Sequence, residues 1–143
     1  MAFNVTSYEH VGIRVTDRAR ATRFYEALGW KEEIDLPEHK ANEMVNANGV
    51  YINLIFNGVP REDNKNILHD EPVKHPGMTH AAFIVDDLNA LVAKLDEKGV
   101  RITDGPHVYS GRRKVVFVRD PDGNVLEFNE LLSGPGTGAP EQA

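Results

Sequence analysis

Apolar and polar residues alternate near the start of the chain, and the same alternation returns seventy positions later. Residues 10–15 read His-Val-Gly-Ile-Arg-Val, and residues 80–85 read His-Ala-Ala-Phe-Ile-Val. A period of two places successive side chains on opposite faces of a strand. Each segment therefore predicts a β-strand with one face toward a core.

A helix is predicted after each of these strands. In the second half of the chain, Asp86 or Asp87 can cap the helix and Gly99 suits its end. The residues that mark the apolar face of this helix are Leu88, Leu91, Val92 and Leu95. The first helix is less regular; its predicted inward residues are Ala21, Phe24, Tyr25 and Leu28, with Gly29 closing it.

Three further strands are predicted in each half. In the first half they cover about residues 30–36, 41–47 and 50–56, and in the second half about 100–107, 114–119 and 124–131. Asn48-Gly49 is a signal for a tight two-residue hairpin. Residues 120–124 form a second turn, since Asp, Pro, Gly and Asn favour turn geometry.

The two halves repeat one pattern. His10 matches His80, and the offset of seventy holds without a gap as far as Gly29 and Gly99; residues 48–53 match 122–127 at an offset of 74. Internal repetition of this kind dictates architecture. It predicts two similar modules, each contributing two polar positions to one shared site.

The predicted domain organisation is one domain over residues 1–143. Module one covers residues 6–57, a polar linker or mobile flap covers 58–76, module two covers 77–131, and residues 132–143 form a disordered tail. The expected fold class is α+β, with two βαβββ modules whose sheets pair into an open, cup-like barrel with the helices outside.

Composition narrows the function classes. The 143 residues are 41% hydrophobic and 27% charged, as expected for a soluble globular protein with a real core. The formal charge of −6 argues against nucleic-acid binding, which normally uses a basic stripe. The lack of cysteine excludes thiolate metal ligands and cysteine nucleophiles. No signal-peptide pattern and no apolar run of about 20 residues occur, so we expect a cytoplasmic protein without membrane association.

Four polar residues at matched positions form the candidate site: His10, Asn53, His80 and Glu127. Because side chains alternate between the two faces of a strand, all four are expected on the face of the sheet away from the helices. Two neutral imidazoles and one carboxylate suit a divalent transition metal with open positions for water and substrate. Asn53 adds a weak carbonyl oxygen or binds a coordinated water. Zn, Ni, Mn, Co and Fe all remain open as the metal.

The pattern resembles the vicinal oxygen chelate superfamily, which includes glyoxalase I, extradiol dioxygenases, methylmalonyl-CoA epimerase and bleomycin resistance proteins. The resemblance covers about residues 6–131, and its strongest local match is residues 117–127, a hairpin ending in a carboxylate ligand. It implies the glyoxalase/dioxygenase fold, with His10, His80 and Glu127 on ligand positions. It also implies a homodimer, because many relatives pair modules within a chain or across a twofold interface.

The chain departs from several relatives at informative positions. Glyoxalase I has a second glutamate where Asn53 lies, so its proton transfer is in doubt here. Ring-cleaving dioxygenases carry a tyrosine ten residues before the ligand glutamate, and this chain has Phe117. The epimerase places an amide at the Asn53 position, but its base is not evident. Bleomycin-binding members usually lack the metal ligands, and that role is disfavoured.

Candidate substrate-binding residues are Tyr51, in phase with Asn53, and His107 and Arg113, which precede or open the penultimate strand. His107 and Arg113 could hold an anionic group of the substrate. The alternative is that they belong to a basic turn exposed to solvent. His69 and His75 are expected to be surface residues of the linker.

Two function classes follow. The first is a small metal-dependent enzyme, a lyase or isomerase that chelates vicinal oxygens of a small-molecule substrate and uses Glu127 in catalysis; an Fe(II) dioxygenase is possible on the same triad. The second is a non-catalytic module that sequesters a drug or metabolite. The sequence does not identify the substrate.

Overall fold

The computed structural model describes residues 1–132. The predicted disordered tail therefore lies, apart from its first residue, outside the described residues. The chain divides into two units, residues 1–60 and residues 61 onward. The module boundaries predicted at residues 57 and 77 stay a prediction.

The first unit consists of four strands and one α-helix. Their order is β1 (His10–Arg14), α1 (Arg18–Ala27), β2 (Lys31–Leu36), β3 (Ala41–Val45) and β4 (Tyr51–Ile55), with a short 3-10 helix at Pro37–His39. The strand order in the sheet is β1-β4-β3-β2, and β1 runs parallel to β4.

The second unit repeats this arrangement. After a 3-10 helix at Glu62–Asn64 come β5 (His80–Ile84), α2 (Leu88–Glu97), β6 (Ile102–Tyr109), β7 (Arg113–Arg119) and β8 (Val125–Leu131). The sheet order is β5-β8-β7-β6, and β5 runs parallel to β8. Two four-stranded mixed sheets with one helix each confirm the predicted α+β class and the two βαβββ modules.

Both helices begin and end in the same way. Asp17 and Asp87 accept hydrogen bonds from backbone amides of the first turn, at 2.9 and 3.0 Å. Gly29 and Gly99 follow the helices with φ of 105° and 70°, a left-handed conformation that favours glycine. The predicted cap of the second helix is confirmed at Asp87 rather than Asp86, and the predicted helix ends at Gly29 and Gly99 are confirmed as well.

Each unit buries one face of its sheet under its helix. In the first unit Tyr25, Met44, Ile52 and Leu54 are fully buried, and the Trp30 indole donates a 3.0 Å hydrogen bond to the Val50 carbonyl. In the second unit the buried residues include Leu88, Leu95, Val116, Val118, Leu126 and Phe128. In the second unit the opposite face of β7 and β8 is buried as well, and it carries Val115, Glu127 and Asn129.

The turn between β3 and β4 differs from the tight Asn48-Gly49 hairpin that was predicted. β3 ends at Val45 and β4 begins at Tyr51, and between them the Asn46 amide donates to the Val50 carbonyl at 3.2 Å and the Gly49 amide donates to the Asn46 carbonyl at 3.1 Å. Asn46 Oδ1 accepts from the amides of Asn48 and Val50, at 3.0 and 2.9 Å.

The turn between β7 and β8 has the same construction. Asp120 Oδ1 accepts from the amides of Asp122 and Asn124, both at 2.9 Å. Asp120 is the residue that matches Asn46 at the offset of 74, so the repeat extends to individual hydrogen bonds. These turns fix the register of β4 and β8, the two strands that carry Asn53 and Glu127.

Candidate metal and substrate site

The central feature of the second unit is a direct contact between His80 and Glu127. β5 and β8 are paired so that Ala82 lies beside Glu127 and His80 beside Val125. This register lets the two side chains reach each other, and His80 Nε2 lies 3.0 Å from Glu127 Oε1. The Glu127 side chain is 9% exposed and the His80 side chain is 30% exposed. The carboxylate is therefore largely shielded from solvent, whereas the imidazole is partly accessible.

The other ring nitrogen of His80 is held by the preceding residue. Thr79 Oγ1 lies 2.8 Å from His80 Nδ1. An ionised carboxylate accepts this hydrogen bond from Nε2, while the Thr79 hydroxyl can either donate to Nδ1 or accept from it. If Nε2 lost that proton to bind an ion, the same hydroxyl could rotate and accept from Nδ1, because a hydroxyl plays both roles.

The second oxygen of Glu127 is also engaged. Asn129 Nδ2 donates to Oε2 at 2.7 Å, and Arg113 Nη1 lies 3.6 Å from the same atom. Arg113 in turn stacks over the Tyr109 ring, with Cζ 5.5 Å from the ring centroid. Glu127 is thus a buried carboxylate whose orientation is fixed from two sides.

The first unit presents the corresponding residues in the same register. Gly12 lies beside Asn53 as Ala82 lies beside Glu127, and His10 lies beside Tyr51 as His80 lies beside Val125. His10 Nδ1 is 3.1 Å from Glu9 Oε1. In both units, therefore, the residue before the histidine contacts Nδ1 and leaves Nε2 for another partner.

A carboxylate that the sequence interpretation missed lies on this face of the first unit. Val45 pairs with Tyr51, and strand alternation puts Glu43 on the same face as Val45. The alternation of side chains along β3 was visible in the sequence. It identifies Glu43 as a neighbour of Tyr51 and Asn53 only when the register between β3 and β4 is known. Glu43 therefore lies on the face of the sheet that carries Tyr51 and Asn53.

Acidic neighbours also act on Tyr51. The charge of Glu33 is the main cause that raises the pKa of the Tyr51 phenol, with desolvation, a hydrogen bond to Glu33 and the charges of Glu43 and Glu9 adding to it. The phenol stays protonated and serves as a hydrogen-bond donor on the polar face of this unit.

His69, predicted to be a surface residue of the linker, is only partly exposed in the structure. Its ring centroid lies 6.2 Å from that of His80, and its Nε2 is shielded from water with no hydrogen-bond partner. Residues 61–79, here called the strap, pack on the β7–β8 hairpin and carry His69 to this position.

Specific contacts fix the strap. Asp70 receives two hydrogen bonds from the Arg119 guanidinium, at 2.7 and 2.8 Å, and these hold the pKa of the Asp70 carboxyl well below its usual range. Asn66 Nδ2 donates to the Gly123 carbonyl at 3.0 Å. A Cβ at Gly123 would lie 2.5 Å from the Asn64 carbonyl oxygen, so only glycine permits this close approach.

The remaining predicted residue forms a separate pair. His107 Nε2 lies 2.7 Å from Asp104 Oδ1. Phe117 packs edge-on against His80, with ring centroids 5.5 Å apart. The structure thus brings His80, Glu127 and Arg113 together, and gives His107 a carboxylate partner of its own.

The donor set can be tested for its fit to a metal ion. Within residues 1–132 the structure brings together no three His, Cys, Asp or Glu side chains as a metal-binding group. The His80–Glu127 pair nevertheless suits one. Two ligands about 2.1 Å from an ion, at right angles, lie about 3 Å apart, which is the separation observed.

Comparison with known proteins places these observations in context. The profile of the Glyoxalase/Bleomycin resistance protein/Dioxygenase superfamily matches residues 7–128. A lactoylglutathione lyase of Schizosaccharomyces pombe is 27% identical over 144 residues, covering 86% of this chain. This chain spans only 44% of that protein.

An epimerase and a solved structure are also similar to this chain. The mitochondrial methylmalonyl-CoA epimerase of Bos taurus is 29% identical over 140 residues, which cover 87% of this chain and 73% of the epimerase. The crystal structure of a glyoxalase/dioxygenase from Nostoc punctiforme superposes with a TM-score of 0.68 over 91% of this chain and 99% of that one, at 20% identity. The structural match concerns the fold alone. Within residues 1–132 neither α-helix has the length and apolar character needed to cross a membrane.

Proposed function

Because the chain belongs to the Glyoxalase/Bleomycin resistance protein/Dioxygenase superfamily, we propose that it is a metal-dependent lyase or isomerase of the glyoxalase type. Its substrate is a small molecule that binds through two adjacent oxygens. The observation that carries the proposal is the 3.0 Å contact between His80 Nε2 and Glu127 Oε1. It is supported by the first unit, where His10 and Asn53 occupy the strand positions that His80 and Glu127 occupy in the second unit.

The proposed ligands of the ion are His10, His80 and Glu127, with Asn53 as a weak fourth. Imidazole and carboxylate donors suit Zn, Ni, Mn, Co or Fe. When bound, such an ion supplies Lewis-acid stabilisation of negative charge on a substrate oxygen. Thr79 and Glu9, on the Nδ1 atoms, orient the two imidazoles and set which nitrogen is available.

Proton transfer is assigned to carboxylates of this chain. Glu127 is fixed by Asn129 and Arg113, and it serves both as ligand and as one catalytic carboxylate. Glu43, in phase with Tyr51 and Asn53, is the second. It takes the proton from the substrate carbon next to a carbonyl, which is general base catalysis of the kind typically worth 10²–10⁴-fold in rate. The lyase and epimerase similarities agree with such chemistry.

The decisive experiment measures metal content and proton exchange separately. Protein purified without chelators is expected to hold one equivalent of a divalent metal, and His80→Ala or Glu127→Ala to lose it. Glu43→Gln is expected to keep the metal but to lose most exchange of solvent deuterium into the carbon next to the carbonyl in a panel of 2-hydroxy and 2-oxo thioesters. Glu38→Gln, at an exposed position in the same unit, is the matched control.

The alternative of a binding module gives a different result. A protein without metal that binds a ligand tightly and promotes no exchange would replace the enzyme proposal. A homodimer and a cytoplasmic location, both expected from the sequence, belong to the proposal but are not required for its chemistry.

A further inference from the structure

Asn129 is a buried amide on the face of β8 that also carries Glu127. The two residues are 4% and 6% exposed. Asn129 Nδ2 donates to Glu127 Oε2 at 2.7 Å, a length typical of a hydrogen bond to a charged acceptor. A buried amide is costly unless its polar atoms are paired, so the presence of Asn129 inside this strand calls for an explanation.

The first unit has an apolar residue at the corresponding position. The register of β1 with β4 and of β5 with β8 makes Ile55 the equivalent of Asn129, just as Asn53 is the equivalent of Glu127. A β-branched residue such as Ile55 suits a strand well, whereas asparagine does not. The amide therefore occurs in the unit whose strand carries a carboxylate two residues earlier. This association indicates that Asn129 serves Glu127 rather than the strand.

The oxygen of the Asn129 amide faces a cation. Arg113 Nη1 lies 3.5 Å from Asn129 Oδ1 and 3.6 Å from Glu127 Oε2. Both neighbours favour the same orientation of the amide, with its nitrogen toward the carboxylate and its oxygen toward the guanidinium. A direct charge-assisted hydrogen bond is about 2.7–2.9 Å long, so the amide is closer to Glu127 than Arg113 is. Asn129 thus bridges the carboxylate and the guanidinium.

We propose that Asn129 is a positioning residue that prevents Arg113 from capturing Glu127 and so keeps this carboxylate available to a metal ion. A guanidinium binds a carboxylate best through two parallel N–H donors, one to each oxygen. Without the amide, Arg113 is free to form this fork and to draw Oε1 away from His80. With the amide in place, Oε2 is occupied and Oε1 stays 3.0 Å from His80 Nε2.

This inference rests on the proposed function, in which Glu127 is a ligand of the ion. It is tested by the zinc affinity of the wild type, Asn129→Leu and Asn129→Leu/Arg113→Gln, measured by chelator competition. Leucine has nearly the shape of asparagine but cannot donate a hydrogen bond. Asn129→Leu is expected to bind zinc about 10–100-fold more weakly, the usual cost of losing a group that orients a ligand.

The double variant separates positioning from a structural role. Removal of the guanidinium leaves nothing to capture the carboxylate, so Arg113→Gln should recover most of the zinc affinity lost in Asn129→Leu. If Asn129 only supported the fold, a second substitution beside it would add to the loss instead of reversing it. Asn4→Leu, at an exposed position, is the control for the same change of side chain and should bind zinc as the wild type does.

Every result decides between these possibilities. Wild-type zinc affinity in Asn129→Leu overturns the positioning role, and so does a loss that Arg113→Gln does not reverse. In both cases the proposed metal enzyme stands, provided that Glu127→Ala loses zinc. A wild type that does not bind zinc overturns both proposals. If Asn129→Leu does not fold, exchange of the Asn129 side-chain amide protons in the wild type is measured by NMR. The proposal requires this exchange to stay slow when zinc is added, and faster exchange would overturn it.

Discussion

Glu127 Oε1 lies 3.0 Å from His80 Nε2 on the neighbouring parallel strand. Thr79 Oγ1 occupies the other side of the same ring, 2.8 Å from Nδ1. The imidazole is thus fixed at both nitrogens, which determines its orientation toward Glu127. A histidine held in this way is prepared to bind an ion with little loss of side-chain freedom.

Removal of the Thr79 hydroxyl should weaken metal binding. Thr79→Val keeps the shape of the side chain but leaves His80 Nδ1 without its partner. Loss of such an orienting group typically costs 10–100-fold in metal affinity. Zinc affinity by chelator competition measures the effect. Thr79→Ser, which restores the hydroxyl, is expected to recover most of it, and equal affinities in the Val and Ser variants would contradict the positioning role.

Asn53→Glu should tighten metal binding. The position is the register equivalent of Glu127 in the first unit, and a carboxylate is a better partner than an amide for a divalent cation. Zinc affinity is expected to rise, and proton exchange with it. Asn4→Glu adds the same charge at an exposed position and should change neither. Weaker zinc binding in a folded Asn53→Glu protein would show that Asn53 does not face the metal.

The Asp70–Arg119 pair should make stability depend on pH. The hydrogen bonds from Arg119 lower the folded-state pKa of Asp70. The pair therefore stabilises the fold fully above the ordinary aspartate pKa of about 3.9, and the gain is lost as the pH falls from there through the lowered value. At pH 7 Asp70→Asn should cost about 1 kcal/mol, because the pair is partly exposed.

Urea unfolding at several pH values between 7 and 3 measures this prediction. The difference between the wild type and Asp70→Asn should shrink as the pH falls below about 4. Asp96→Asn, at an exposed helical position, should show no comparable difference at pH 7. A constant difference at all pH values would assign the effect to packing of the strap instead.

The sequence predicted the elements and the His80–Glu127 face because both depend on local periodicity. A strand period of two fixes which residues share a face, and the offsets of 70 and 74 identify equivalent strands in the two halves. The cap at Asp87 was predictable for the same reason, since capping acts over three residues.

The position of His69 could not be predicted in this way. It depends on contacts between the strap and the β7–β8 hairpin, such as Asp70 with Arg119, which join residues 49 positions apart. The strap has no periodicity that encodes them. The Asn48-Gly49 hairpin failed for a related reason: the dipeptide favours a tight turn, but the Asn46 side chain two residues earlier competes for the same amides.

Ring cleavage of catechols should be slow in this protein, because Phe117 stands where an acid–base group would be needed. Phe117 lies opposite Glu127 on β7 and packs against His80, with ring centroids 5.5 Å apart. Phenylalanine can neither donate nor accept a proton, and general acid–base help is typically worth 10²–10⁴-fold in rate. The Fe(II)-loaded protein is therefore expected to cleave simple catechols poorly, measured by the yellow ring-opened product. Phe117→Tyr should increase the rate, whereas Phe24→Tyr, in α1, should not. Rapid cleavage by the wild type would mean that another group supplies the proton, and His69, whose ring centroid lies 6.2 Å from that of His80, would be the first residue to substitute.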